Sequence, residues 1–289
     1  MKRLNEYLRE RFGCKVYKLS LSAVKTCPNR DGTLGNKGCI FCSAGGSGDF
    51  SESPELPVKE QIARAKERVS AKIKDGRYIA YFQSFTNTYA PVRYLERVFN
   101  EAIEPDDIVA LSIGTRPDCL GEEILELLTK LNSKKPVFVE LGLQTMHEKT
   151  AEYIRRGYPL SVYDKAVREL KDRNIEVVVH VILGLPGESY EDMEETVKYV
   201  VASGADGIKL QLLHVLKGTD LEKDYEAGRV PVMTLDEYAG LLKRLTALIP
   251  DTCVVHRLTG DGPKKLLVAP LWSADKKKVL NILNKVLSG

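Results

Sequence analysis

Six short runs rich in apolar and β-branched residues punctuate the chain, at residues 15–24, 77–83, 107–114, 136–144, 175–184 and 206–216. Each has the length and composition of a strand. Between them lie segments whose apolar residues recur at i, i+3 and i+4, among them 57–76, 122–131 and 189–204, which is the pattern of helices with one buried face. Repeated strand-then-helix units predict parallel strands joined by right-handed helical crossovers. From about residue 221 the pattern changes to a helix over 234–250, one more strand-like run at 252–258, a loop, and a terminal helix over 274–287. Six units with a different ending predict an α/β fold: a partial (β/α)6 TIM-type barrel with a C-terminal α/β extension. The corresponding division is an N-terminal helical segment (1–19), a barrel core (20–220) and an extension packed on the barrel (221–289). Periodicity also allows a closed (β/α)8 barrel or an open doubly wound sheet. The partial barrel is preferred because the polar signatures fall at strand ends, where barrels build their active sites.

The 289 residues are 43% hydrophobic and 29% charged, the balance of a globular protein able to bury a sizeable core. A net charge of +3 neither demands nor excludes a nucleic-acid partner. The opening MKRLNEYLRERFG is charged and helical in pattern, lacks the apolar stretch of a signal peptide, and no apolar run approaches the length of a membrane span. A cytoplasmic protein with no membrane partner is expected. Six cysteines in a reducing compartment are not expected to pair as disulfides, so clustered ones point to metal.

Three of them do cluster. Cys27, Cys39 and Cys42 sit in CPNRDGTLGNKGCIFC with C-x11-C-x2-C spacing. Three thiolates are one short of a closed zinc site or of an iron–sulfur cluster held by four cysteines, which leaves a coordination position for something other than protein. Pro28, Asn29, Arg30, Asp31, Gly32, Gly35 and Gly38 are turn formers able to bring the thiols together. Phe41, between the last two, either shields the site or simply fills space. Cys14 is the one candidate for a fourth, zinc-completing ligand; Cys119 and Cys253, scattered singly, read as small buried hydrophobes.

This loop resembles the cluster loop of the radical S-adenosylmethionine (SAM) superfamily, and its long first gap is similar to the branch containing the elongator catalytic subunit. Further motifs follow in the order that family has them. YFQSFTNTYAP stands where a glycine-rich segment holds the methionine amino group, and nominates Gln83, Ser84, Thr86 and Asn87. LSIGTRPDCL resembles the branch's TRPD segment, placing Ser112 and Thr115 near the cofactor and Arg116 with Asp118 as an ion pair. VELGLQT nominates Gln144 as a ribose or carboxylate contact, and RRGY, twelve residues on, nominates Arg156 for the SAM carboxylate, with Arg155 read as a solvated helix end. VVVHVILGLPGES offers His180 as a ribose contact, against the alternative of a satisfied core histidine. In KLQLLHVLKGTDL the backbone around Leu212 flanks adenine, while Lys209 and His214 face either inward or out. The tail HRLTGDGPKKLLVAPLW is similar to that of a small subgroup, the YhcC/YtqA-like proteins, so the resemblance spans nearly the whole chain.

The resemblance implies a 4Fe-4S cluster on Cys27, Cys39 and Cys42, SAM as the second cofactor, and an electron donor such as flavodoxin or ferredoxin. It implies reductive cleavage of SAM to a 5′-deoxyadenosyl radical. The elongator likeness further implies a tRNA partner and modification of a tRNA nucleoside, without acetyl transfer. TGDGPKK is not a Walker phosphate loop, since the spacing before GK and the following Ser or Thr are absent. His256, Arg257, Asp261, Lys264 and Lys265 then either contact substrate or form a polar turn. Two alternatives stand beside the tRNA reading: a radical enzyme acting on a small metabolite, and a non-catalytic zinc or cluster protein serving as an interaction module.

Overall fold

The structure is a computed structural model, and describes residues 1–46, 48–73, 76–260 and 262–288. The β–α alternation is realised as α1 (Leu4–Phe12), β1 (Val16–Leu21), α2 (Val58–Val69), β2 (Arg77–Phe82), α3 (Val92–Ile103), β3 (Ile108–Thr115), α4 (Glu122–Asn132) and β4 (Val137–Gln144). Two helices, α5 (Glu148–Tyr153) and α6 (Leu160–Asp172), then precede β5 (Glu176–Leu183), followed by α7 (Tyr190–Ala202) and β6 (Gly207–Leu212). The remainder comprises β7 (Val215–Leu216), α8 (Asp220–Glu226), α9 (Leu235–Ala247), β8 (Val254–Arg257), β9 (Leu267–Ala269) and α10 (Lys276–Ser288).

Seven strands form one parallel sheet in the order β1-β2-β3-β4-β5-β6-β8, a curled half-barrel backed by helices. The α/β partial barrel expected from the periodicity is therefore present. Its seventh strand comes from the run at 252–258, and β8 pairs in parallel with β6 through Gly207↔Val254 and Ile208↔Val255. The run at 206–216 is not one strand. It breaks after Leu212, and Val215–Leu216 turns away to pair antiparallel with β9. At the open flank of the sheet the N-terminal segment closes on β8: Val255 N–H donates to the Lys2 carbonyl at 2.9 Å, and Arg3 bridges to Val255 in parallel.

Burial explains the arrangement. The main apolar core lies between sheet and helices and takes Leu21, Phe82, Ile113, Val139, Val179 and Leu210 from the strands and Leu95, Phe99, Leu128, Leu170 and Val197 from the helices. A smaller cluster at the N-terminal strand ends packs α1 through Leu8 against Val16, Ile79, Ala110, Phe138 and Val178. Two well-marked helix starts show how local sequence sets the boundaries. Ser189 caps α7 and Thr234 caps α9, each accepting from the backbone N–H three residues on, while Asp192 and Glu237 reach back to the cap N–H. With strands covered on the helical side, inward-pointing residues are left to line the lumen, and these include the buried charges of Glu140 and Lys209.

Candidate active site

The cysteine loop leaves β1 and winds back on itself through short backbone bonds. Arg30 N–H donates to the Cys27 carbonyl, Leu34 N–H to Pro28, Gly38 N–H to Asn29 and Cys42 N–H to Cys39, at 2.7 to 3.1 Å. Gly38 has φ +74°, and a Cβ there would meet the Arg30 guanidinium, so a glycine is required on both counts. Arg30 in turn donates to the carbonyls of Cys42 and Ser43 at 3.2 and 2.5 Å and lies over the Phe85 ring. Asn29 pins the loop to the barrel: its amide donates to the Arg155 carbonyl at 2.6 Å and lies 3.4 Å from the Cys39 sulfur. Arg155 is not the solvated helix end expected of it. It holds φ +59°, and its guanidinium pairs with Asp220 at the start of α8 at 2.7 Å.

Cys27, Cys39 and Cys42 line one cavity of about 370 Å³ at the C-terminal end of the strands. Three thiols lining one cavity, with no fourth cysteine among its lining residues, fit a cluster with an open position better than a closed tetrahedral zinc site. Hydrogen bonding with Cys42, helped by the Asn29 amide and the charges of Arg116 and Arg30, outweighs burial and lowers the Cys39 thiol to about 6. Burial pushes Cys27 up. The other cysteines stand apart. Cys14 packs against the apolar cluster at the N-terminal strand ends, while burial raises Cys119 and Cys253 to about 12, and none of the three lines the cavity. Phe41 lines the cavity and also packs on a small apolar cluster that includes Ile40, Ile182 and Val215.

Of the eight residues nominated for cofactor binding, Gln83, Thr86, Gln144, Arg156, His180 and Leu212 line this cavity and Asn87 and Ser112 do not. Asn87 is fully buried and spent on backbone: its amide donates to the carbonyls of Phe82 and Gly114, and its oxygen accepts from Ala23 N–H. Ser84 is likewise turned inward, onto Ser22. Thr115 lines the cavity and donates to Thr88, whose own proton goes to the Cys119 carbonyl. Arg116 and Asp118 form the expected pair, with two bonds at 2.9 and 2.7 Å. Gln144 ends β4 at φ +66°, next to a register shift against β5. Arg156 is 2% exposed and donates to the carbonyls of Thr145 (2.7 Å) and Tyr158 (3.0 Å) and to Glu148 (2.9 Å). These contacts hold the turn after α5 in place, a positioning role that the RRGY motif did not disclose.

Below this level lies a charge network that the sequence reading missed. Its hub is Glu140 in β4, 1% exposed. Glu140 accepts from Ser112 at 2.7 Å and from Lys18 at 2.5 Å on one oxygen, and from His180 at 2.7 Å and Lys209 on the other. Burial alone would raise its carboxyl, but the ammonium groups of Lys18 and Lys209 hold it well below the usual glutamate range. His180 donates through Nε2 and accepts at Nδ1 from Gln211 at 3.2 Å, the pattern of a neutral imidazole, and burial carries it down to about 4. The Lys18 and Lys209 ammonium groups lie 4.7 and 4.5 Å from the centre of the Tyr81 ring, and the Tyr81 hydroxyl accepts from Lys209 at 3.0 Å. Burial lowers Lys209 to about 7. Lys209 and His214, left open between inward and outward, both line the cavity, as does Arg257; Lys264 and Lys265 are exposed beyond it, and Asp261 lies outside the described residues.

The half-barrel and the sequence that builds it have counterparts among known proteins. The Radical SAM superfamily model matches residues 31–200, and the Radical_SAM C-terminal domain model matches residues 205–288. The chain belongs to the radical SAM superfamily. Within it, YtqA of Bacillus subtilis is 46% identical over 284 residues, covering 98% of this chain and 88% of that protein. The tRNA uridine(34) acetyltransferase of Methanocaldococcus jannaschii is 28% identical over 163 residues, 55% of this chain and 30% of its own length. The solved structure of Methanocaldococcus infernus Elp3, an N-terminal deletion, superposes with a TM-score of 0.69 at 18% identity, over 93% of this chain and 63% of that one, a likeness of fold. Membership makes the chain a radical SAM enzyme whose cofactors are a 4Fe-4S cluster and SAM. Among the described residues no helix is long and apolar enough to cross a membrane.

Proposed function

We propose that Cys27, Cys39 and Cys42 hold the cluster, that SAM lies along the strand ends above the Glu140 network, and that a tRNA nucleoside is the substrate. The observation that carries the cofactor assignment is the set of three thiols on one cavity wall, with no fourth cysteine among its lining residues. When bound, the cluster and SAM supply a reductively generated 5′-deoxyadenosyl radical able to abstract a substrate hydrogen. The chain's own residues do the positioning. Gln83 and Thr86 at the end of β2, Gln144 and Arg156 after β4, His180 in β5 and the backbone at Leu212 supply polar and apolar contacts along the cavity. Ser112 and Asn87 act from behind the wall, Ser112 by orienting Glu140 and Asn87 by fixing the β2 and β3 ends. A small electron-transfer protein such as flavodoxin or ferredoxin delivers the electron.

The tRNA assignment draws on the elongator likeness and on the relative whose name specifies tRNA uridine(34). It is also supported by the exposed Lys264 and Lys265 beside Gly262 and Pro263 of the cavity lining, since lysine contacts to phosphate dominate nucleic-acid affinity. Its test is a comparison of total tRNA nucleosides, by mass spectrometry, from cells lacking and cells complemented with the protein. A nucleoside that disappears and returns supports it. An unchanged profile, with no salt-sensitive tRNA binding in vitro, overturns it. A second reading, a small-metabolite radical enzyme, is favoured by the depth of the charged floor, which a folded polynucleotide does not reach.

A further inference from the structure

The two ends of the cavity carry different chemistry, and at the floor two cations share one anion. Lys18 and Lys209 both pair with a single carboxylate, Glu140, and Arg257 is close enough for its charge to act on both Lys209 and Tyr81. His180 adds no compensating charge. Buried charges are ordinarily matched one for one, because an unmatched ion in a low-dielectric site is costly. Here two enclosed lysine amines meet one carboxylate, so the charge on Lys209 is held at a cost, and the arrangement opens onto a cavity. Lys209 has three donors; two go to Glu140 and Tyr81, and no third protein acceptor is found among the described residues. Gln211 lines the same wall one pleat above Lys209. Cationic groups nearer the thiols are committed: Arg116 to Asp118, Arg156 to Glu148 and two carbonyls, and Arg30 to two carbonyls.

We propose that the floor of the cavity, at Lys209, Arg257, Gln211 and Tyr81, is a seat for an oxyanion of the substrate, a carboxylate or a phosphate. This deepens the reading of the cavity as a radical SAM active site and rests on it. Such an anion completes the charge balance that Glu140 leaves unfinished. It takes the third donor of Lys209 and the remaining N–H of the Gln211 amide, whose other N–H goes to His180, and it would anchor a small molecule or a single nucleotide unit with its far end toward the thiols. The floor is enclosed, Lys209 being 4% exposed, so the anion is that of a small acid or the phosphate of a single nucleotide turned into the cavity, and not a paired stretch of RNA backbone.

The experiment is calorimetric titration of the cluster-loaded, SAM-bound protein with succinate and with inorganic phosphate, against sodium chloride at matched ionic strength. Saturable one-to-one binding of either oxyanion is expected, weakened about tenfold or more in Lys209→Met and in Arg257→Gln, and partly restored in Arg257→Lys. Preference for succinate identifies an organic acid; preference for phosphate identifies a phosphate ester. Iron content of each variant shows that it has folded around its cluster, and Arg257, at the end of β8, provides the variant least disruptive to the sheet. The proposal is overturned if neither oxyanion binds beyond the chloride control, or if both variants bind as wild type does. SAM cleavage measured on the same samples keeps the two readings apart: oxyanion binding without SAM cleavage retains the floor site and defeats the radical assignment, and cleavage without oxyanion binding does the reverse.

Discussion

The thiol end of the cavity and its charged floor are held together in different ways. At the thiol end, a loop without regular secondary structure is fixed by many small attachments: turns closed by backbone bonds, Arg30 on two carbonyls, and the Asn29 amide on Arg155. At the floor, one carboxylate organises residues from five strands, Lys18, Ser112, His180 and Lys209 all meeting Glu140 of β4. A distributed support tolerates the loss of any one tie, whereas a hub does not.

The largest test of this contrast is at the thiols. Cys42→Ala is expected to reduce iron to background after anaerobic reconstitution, with Cys14→Ala and Cys253→Ala retaining it, measured by iron and sulfide analysis. Loss of iron in Cys14→Ala as complete as in Cys42→Ala would place a fourth protein ligand at the site. Next comes the hub. Glu140→Ala leaves Lys18 and Lys209 buried without their carboxylate and is expected to cost about 3–5 kcal/mol, a fall in Tm of roughly 10 °C for a chain of this size, read by calorimetry. The sign with pH is fixed by the depressed carboxyl. Its contribution is fully present above the ordinary glutamate value of about 4.3 and is lost as pH falls through the lower folded value. The stability gap between wild type and Glu140→Gln should therefore narrow in acid, below the ordinary glutamate value, while nearer neutrality it also carries the titration of Lys209, which is lowered to about 7 and held up by this carboxylate; a gap that did not narrow in acid would show that the hub is not held as a carboxylate.

Arg156→Ala should retain iron and weaken SAM binding by about one to two orders of magnitude, the worth of a charged hydrogen bond. Unchanged SAM titration would assign Arg156 wholly to holding the turn through Thr145, Tyr158 and Glu148. The smallest effect is expected from Asn29→Ala, about 1–2 kcal/mol, seen in the Tm of the cluster-free protein with iron still taken up. A fall as large as that of Glu140→Ala would mean that the loop too depends on a single tie.

What the sequence disclosed follows the same divide. Cys27, Cys39 and Cys42 lie within sixteen residues, and a local spacing carries its chemistry wherever the loop is placed. The barrel was legible because apolar runs and amphipathic segments alternate for most of the chain. The floor was not, because Lys18, Tyr81, Glu140 and Lys209 each sit singly in a largely apolar strand and meet only when parallel pairing sets their register. A lone polar group in such a strand was the available signal, and it does not say which other strand holds its partner. Asn87 shows a related ambiguity: a polar residue at a strand end serves backbone carbonyls as readily as a ligand. The break after Leu212 was hidden because the apolar pattern runs on through Val215 and Leu216 while the chain changes partner.

The bridge between Arg3 and Val255 joins residues some 250 positions apart, and this sets a timetable. At a synthesis rate of about 5–20 residues per second, the carbonyl of Lys2 waits on the order of 10 to 50 s for the strand that it will pair with. The thiols of the loop emerge early and also wait, since their anchor at Arg155 is made more than a hundred residues later. A nascent chain of this protein thus carries three accessible thiols and an unsealed flank together while more than a hundred residues are added, and in an oxidising extract it is there, before the barrel shuts, that mispairing has its opportunity.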